Sequence, residues 1–149
     1  MSGQLDLDGL LDLWGRQWTP GSEAEAAFGR FYADPVVVNG NTLPVSALVD
    51  RANALNLALA DAQREVLTTM TSDDGVAVEF RLTGRHVGPF ATSAGVLPPT
   101  GGMLSIRVID ILTVVDGRVT RVAMVPDELA SLAAAGSVRL IEPGGASTR

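Results

Sequence analysis

The hydrophobic period of this chain changes once, near Arg64, and that change limits the folds open to it. Before it, apolar residues recur at helical spacing; after it, they alternate with polar ones over long runs. Leu7, Leu10, Leu11, Trp14 and Trp18 form the first helical set, with Asp6 and Asp8 near the start, where the helix dipole favours acids. Ser22 and Glu25 have capping-box spacing ahead of Ala27, Phe28 and Phe31. This second helix is expected to stop near Ala33-Asp34-Pro35, because a residue before proline avoids the α region. Val36-Val37-Val38 reads as a short strand, Asn39-Gly40-Asn41 as a turn, and Pro44 as the start of a third helix with Val45, Leu48, Val49, Ala52 and Leu59 inward.

Past Arg64 the residues 65–71 read as a strand and Asp73-Asp74-Gly75 as the turn into the next, where Val76, Val78, Phe80 and Leu82 share one face. Asp116-Gly117 is a hairpin signal joining a strand over 104–115 to one over 118–125. A short last helix is expected over 127–135. Helices first and a meander of long strands afterwards give an α+β class. Long twisted strands with helices on one side tend to curl into a cone around a cavity. The domain is expected over residues 1–136, with 137–149 a Gly- and Ser-containing tail.

Composition excludes several functions. With 149 residues and no Cys, the chain needs no disulfides for its core and offers no thiolate nucleophile or Cys-ligated metal. Its net charge of -6, with scattered Arg, argues against nucleic acid as a partner. An acidic N-terminus and no apolar run of membrane length argue for a cytoplasmic protein without a membrane partner. Hydrophobic residues make up 46% and charged ones 19%, an apolar excess that a homodimer interface or a ligand cavity would use.

Few residues can carry chemistry. His86 is the single imidazole, at a strand end beside the loop 87–103 with its Leu97-Pro98-Pro99-Thr100-Gly101-Gly102 run, and alone it cannot build a zinc site. A lone histidine is more often structural than functional. Asp110 stands on the apolar face of Leu104, Ile106, Val108, Leu112 and Val114, so it must be paired, protonated or open to a cavity. Asp127 follows Pro126 where the last helix begins, a place for an N-cap as readily as for a catalyst. Ser72, Ser93 and Ser105 lack the context of a nucleophile elbow, and the Gly-rich loop matches no phosphate-binding fingerprint. Acid–base chemistry by a carboxylate is what survives.

Gly84-Arg85-His86-Val87-Gly88, Leu97-Pro98-Pro99-Thr100-Gly101, Val108-Ile109-Asp110-Ile111-Leu112, Asp116-Gly117-Arg118-Val119 and Pro126-Asp127-Glu128-Leu129, in that order, resemble the SnoaL-like polyketide cyclases of the nuclear-transport-factor-2-like superfamily. The resemblance covers about 77–136, with support from Phe31-Tyr32-Ala33-Asp34. It implies a conical, mostly antiparallel sheet with N-terminal helices on its concave side. It also implies a homodimer and cofactor-free, metal-free aldol closure of an apolar polyketide ester. It makes Asp127 the acid–base carboxylate, with His86 in the pocket. Asp110, Trp14, Trp18, Phe31, Phe80 and Ala123 are then the expected substrate contacts, Ala123 standing where family members commonly carry Trp. Competing expectations are an epoxide hydrolase using Asp110 with Arg107 or Arg81, an isomerase on the same cone, and a non-catalytic binding or dimerisation module. The cyclase expectation requires the Asp127 carboxylate to open into an enclosed cavity with His86 on its wall. An Asp127 that only caps its helix favours the module.

Overall fold

In the computed structural model, which describes residues 4–144, a six-stranded sheet curls over three N-terminal helices. The helices are α1 (Leu7–Trp14), α2 (Ser22–Gly29) and α3 (Val45–Ala58). The strands are β1 (Tyr32–Val38), β2 (Asn41–Leu43), β3 (Leu59–Ser72), β4 (Gly75–His86), β5 (Phe90–Thr92), β6 (Gly95–Leu97), β7 (Met103–Val115) and β8 (Arg118–Pro126), followed by helix α4 (Glu128–Ala134). The main sheet runs β2-β1-β8-β7-β4-β3; β5 and β6 form a separate hairpin between β4 and β7. All neighbours in the main sheet are antiparallel except β1 and β8. The α+β class and the curved, mostly antiparallel sheet are as expected from the change of period. No helix among the described residues is long and apolar enough to cross a membrane.

Local chemistry sets most element ends. Asp6 caps α1 by accepting from the Gly9 N–H at 3.0 Å. That helix ends at Trp14, earlier than the expected run through Trp18. Trp18 instead lies in the loop, where its N–H donates to Asn53 Oδ1 at 2.7 Å and its indole N–H to the Leu13 carbonyl at 2.8 Å. The capping-box expectation also shifts by one residue: Gly21 is the N-cap of α2, Ser22 is already helical, and no side chain caps the helix. The chain leaves α2 at Gly29 and is already in β1 at Tyr32, ahead of Pro35. Asp34 then turns back to cap α3, accepting from the Val45 N–H at 3.1 Å. Strand β3 begins at Leu59, directly from α3, so Leu59 is a strand residue and not the inner end of the helix. At the β7–β8 hairpin Asp116 and Gly117 both take positive φ, 51° and 78°, the two-residue turn that Asp-Gly favours.

Two apolar clusters fill the concave side. One joins α1, α2 and α3 to the sheet through residues that include Leu10, Phe28, Tyr32, Leu48, Val76, Leu112 and Val122. The other joins the end of α3 to Val78, Phe80, Leu82, Leu104, Ile106 and Val108. Leu7 of α1 packs against both. The convex face is left with Met70, Ile109, Ile111 and Val125 exposed.

Candidate functional site

Asp110 owes its position to strand alternation. On β7 the residues Leu104, Ile106, Val108 and Leu112 are buried on the concave side, and Asp110 shares their parity. Its cross-strand partners are Val78 on β4 and Met124 on β8, and the Val78 row continues to Thr69 on β3. No basic side chain stands in that row. Asp110 also falls at the seam between the clusters, since Val108 belongs to one, Leu112 to the other, and Leu7 bridges them. Its Oδ1 is buried and finds no hydrogen-bond partner among the described residues. Burial disfavours the charged form and pushes this carboxyl up to about 7. A carboxylate in this condition exchanges protons near neutral pH, as an acid–base catalyst must.

An aromatic group lies over the same cluster. The Trp14 indole N–H donates to the Tyr32 hydroxyl at 2.9 Å. Trp14 meets Phe28 edge-on with ring centres 5.9 Å apart, and Trp18 meets Phe28 edge-on at 5.6 Å. Burial raises the Tyr32 phenol well above its ordinary value; the Trp14 hydrogen bond works against this and the charge of Asp110 adds to it. Tyr32 and Asp110 therefore feel one another, although no direct hydrogen bond joins them. Tyr32 was the least visible of these residues in the sequence. Its signal is even spacing with Val36 and Val38, which sets one hydroxyl on an otherwise apolar inner face.

His86 is fully buried at the far end of the concave side. Its Nδ1 lies 3.2 Å from Thr100 Oγ1 and accepts from the Thr100 N–H at 3.3 Å. Among the described residues Nε2 is buried without a partner, and the ring stands edge-on to Phe90 at 6.3 Å. The backbone around it ties down the 87–103 loop: His86 N donates to Gly102 O at 2.8 Å, and Gly101 N to His86 O at 2.9 Å. Gly88 is required where that loop passes α3, because a Cβ there would lie 2.4 Å from the Leu57 carbonyl oxygen.

Asp127 is exposed and is the N-cap of α4, accepting from the Ala130 N–H at 3.2 Å. Its own N–H donates to the Arg107 carbonyl at 2.8 Å from the β8 side of β7, whereas His86 N–H donates to the Gly102 carbonyl from the β4 side. Those two points are five residue steps apart along the chain, roughly 16 Å of extended backbone, and lie on opposite sides of β7. Asp127 and His86 are thus not brought together. Ala123 pairs with Ile111, on the opposite face of the sheet from Asp110 and Met124. Phe80 is buried on the inner face beside Val108; Phe31 is half-buried against the helical cluster. Tyr32, which accepts from Trp14, is thus the aromatic residue that senses Asp110, while Phe31 packs on the helical cluster and Asp127 and Ala123 face elsewhere.

Arg107 pairs with Glu79 on the convex side, where Thr68 also donates to Glu79 at 2.9 Å. The parity of β7 therefore keeps Arg107 away from Asp110. Two clefts open at the ends of the molecule. One, about 300 Å³, is lined by Gln4, Leu5, Thr71, Asp73, Val76 and Val114, so its floor adjoins the row next to Asp110. The other, about 290 Å³, runs between α4 and the segment 138–140, with Asp127 on its rim. Among the described residues no three His, Asp or Glu side chains gather as a metal site.

A family model described as SnoaL-like polyketide cyclase matches residues 9–135. Among solved structures, a SnoaL-like polyketide cyclase from Agrobacterium tumefaciens superposes with a TM-score of 0.66 at 18% identity, over 86% of this chain and 95% of that one. IdmH of Streptomyces antibioticus, a candidate polyketide cyclase, gives 0.67 at 18% identity, over 87% and 95%. AclR of Streptomyces galilaeus, a candidate hydroxylase, gives 0.66 at 22% identity, over 92% and 84%. At these identities the likeness is one of fold. No curated protein matches the sequence.

Proposed function

Because the chain belongs to the SnoaL-like polyketide cyclase family, we propose that it is a cofactor-free enzyme that closes a ring in a polyketide or similar apolar carbonyl compound, with Asp110 as its acid–base carboxylate. The observation that carries this reading is the Asp110 carboxyl itself, inward-facing, unpartnered at Oδ1 and raised to about 7 by burial. The family resemblance implies that role for Asp127, which in this structure is a solvent-exposed cap bonded to the Ala130 N–H.

In the proposed reaction, ionised Asp110 takes a proton from a carbon between carbonyl groups. The electron pair left on that carbon spreads into the adjacent carbonyl. The carbon then attacks a second carbonyl of the same molecule, forming the C–C bond, and the resulting alkoxide takes the proton back from Asp110. Proton and electrons balance within substrate and carboxyl, so the step calls on no further reagent. Holding the two ends of one chain together on an apolar wall supplies much of the acceleration.

The second reading, a non-catalytic binding module, draws on the cap geometry of Asp127 and on the exposed convex stripe of Met70, Ile109, Ile111 and Val125, which suits a homodimer interface. The two readings part on one experiment. Wild type, Asp110→Asn and Asp127→Asn are incubated with a panel of aromatic polyketide methyl esters bearing ketone side chains, and ring closure is followed by chromatography. Turnover by wild type and Asp127→Asn, lost in Asp110→Asn, supports the cyclase. Turnover surviving in Asp110→Asn removes Asp110 from the chemistry, and substrate binding without turnover by any form favours the module.

A further inference from the structure

The Tyr32 hydroxyl accepts the indole N–H of Trp14 at 2.9 Å, and an indole can only donate. The phenol's own proton must therefore point elsewhere, and among the described residues Tyr32 donates it to no acceptor. Tyr32 is 4% exposed, in the same cluster as Leu112 and Val122, the inward residues next along β7 and β8 from Asp110 and Met124. Asp110 Oδ1 is the complementary case, a buried acceptor with no donor. Buried polar groups without partners are costly, and neither of these satisfies the other directly. A group that accepts from Tyr32 and offers a proton to Asp110 would satisfy both. A carbonyl with an acidic C–H beside it, or its enol, has that pattern.

Resting on the assignment of Asp110 above, we infer that Tyr32 is the electrophilic partner of that carboxylate, donating its O–H to the substrate carbonyl oxygen that becomes an enolate, and that Trp14 is the positioning residue that aims this proton. Asp110 removes the C–H proton, the electron pair moves onto the carbonyl oxygen, and the Tyr32 O–H stabilises the charge without being transferred. The phenol is kept protonated by its burial, so it remains a donor throughout the pH range in which Asp110 titrates. The edge-on packing of Trp14 on Phe28 and the stacking of Phe28 with Tyr32, ring centres 6.3 Å apart, hold the donor in place before substrate arrives.

The test uses 2-naphthol, an apolar enol whose oxygen stands in for the enolate oxygen, with binding read by its fluorescence between pH 5.5 and 8.5, below the probe's own ionisation. Tyr32→Phe keeps the ring and removes the donor; it is expected to weaken binding roughly 10- to 100-fold, as for a buried oxygen left without its donor. Trp14→Phe is expected to weaken it less, by roughly several-fold, since it disturbs aim and not the donor itself. Circular dichroism of both variants checks that they are folded. In wild type, binding should tighten as pH rises through about 7, where Asp110 becomes an ionised acceptor for the naphthol O–H, and Asp110→Asn should abolish that pH dependence. Wild-type affinity in Tyr32→Phe, with the pH dependence intact, overturns the role of Tyr32 and leaves Asp110 standing. No naphthol binding by wild type, or binding indifferent to both variants and to pH, overturns the two together.

Discussion

Asp110 and Asp127 are the same side chain near the same end of the sequence, yet the fold treats them in opposite ways. Asp110 lies on a strand, where a period of two leaves it no choice of face: its neighbours Val108 and Leu112 point inward, and so does the carboxylate. Asp127 lies at the junction of β8 and α4, where four free N–H groups need an acceptor and the side chain is drawn to them. The first carboxylate is desolvated without compensation and holds its proton to about 7; the second is hydrated and bonded to Ala130. Residue type alone does not make a catalytic acid. The environment that its local structure forces upon it does.

That contrast can be broken most sharply by catalysis. Asp110→Asn should reduce ring closure by roughly 10²- to 10⁴-fold, the usual share of a positioned acid–base group, while Asp127→Asn keeps activity within about two-fold. Equal losses in both variants, measured as kcat/KM on a substrate from the ester panel, would erase the distinction. A second effect concerns the aromatic group that packs around Tyr32. Phe28→Ala empties the centre of the aromatic group and should cost about 3–5 kcal/mol in urea unfolding.

Stability against pH sharpens the same comparison. The folded-state value of Asp110 is raised above that of the unfolded chain, so between about 4 and about 7 the native state binds the extra proton. This group's contribution is most favourable below the unfolded value and is lost as pH rises through the folded one. Asp110→Asn should therefore gain stability over wild type as pH goes from 4 to 8, by an amount on the order of a few kcal/mol. Asp127 offers a smaller effect: Asp127→Ala loses the cap of α4 and should cost about 1 kcal/mol, whereas Asp127→Asn should cost almost nothing. Smallest in its bearing on the site is the convex face. With the convex stripe as the proposed homodimer interface, Ile111→Glu is expected to lower the sedimentation coefficient relative to wild type while leaving the Asp110 titration unchanged.

Alternation made much of this legible beforehand. Val76, Val78, Phe80 and Leu82 were expected on one face and are all buried there, and Asp110 was recognised as a carboxylate on an apolar face. Asp116-Gly117 was read as the hairpin it forms. What escaped depends on contacts between distant segments. Trp18 has helical spacing with Trp14, but Asn53 of α3 and the Leu13 carbonyl hold it in a loop. Strand β3 runs well before 65 because β4 pairs with it back to Leu59 opposite His86. The face of Ala123 follows from its pairing with Ile111, and the separation of His86 from Asp127 from the register along β7. Tyr32, at the start of β1, draws its interest from Trp14, which approaches it from the end of α1.

The account turns on the protonation of one buried carboxyl, and that is open to direct observation without any substrate. Carbon-13 NMR of side-chain carboxyls, titrated from pH 3 to 9 and assigned by comparison with Asp110→Asn, follows Asp110 alone. A midpoint near 7, well apart from the remaining carboxylates, is the predicted result. A midpoint near 4, among the surface acids, would mean that Asp110 is hydrated and ionised like them, and the proposed acid–base site would not exist.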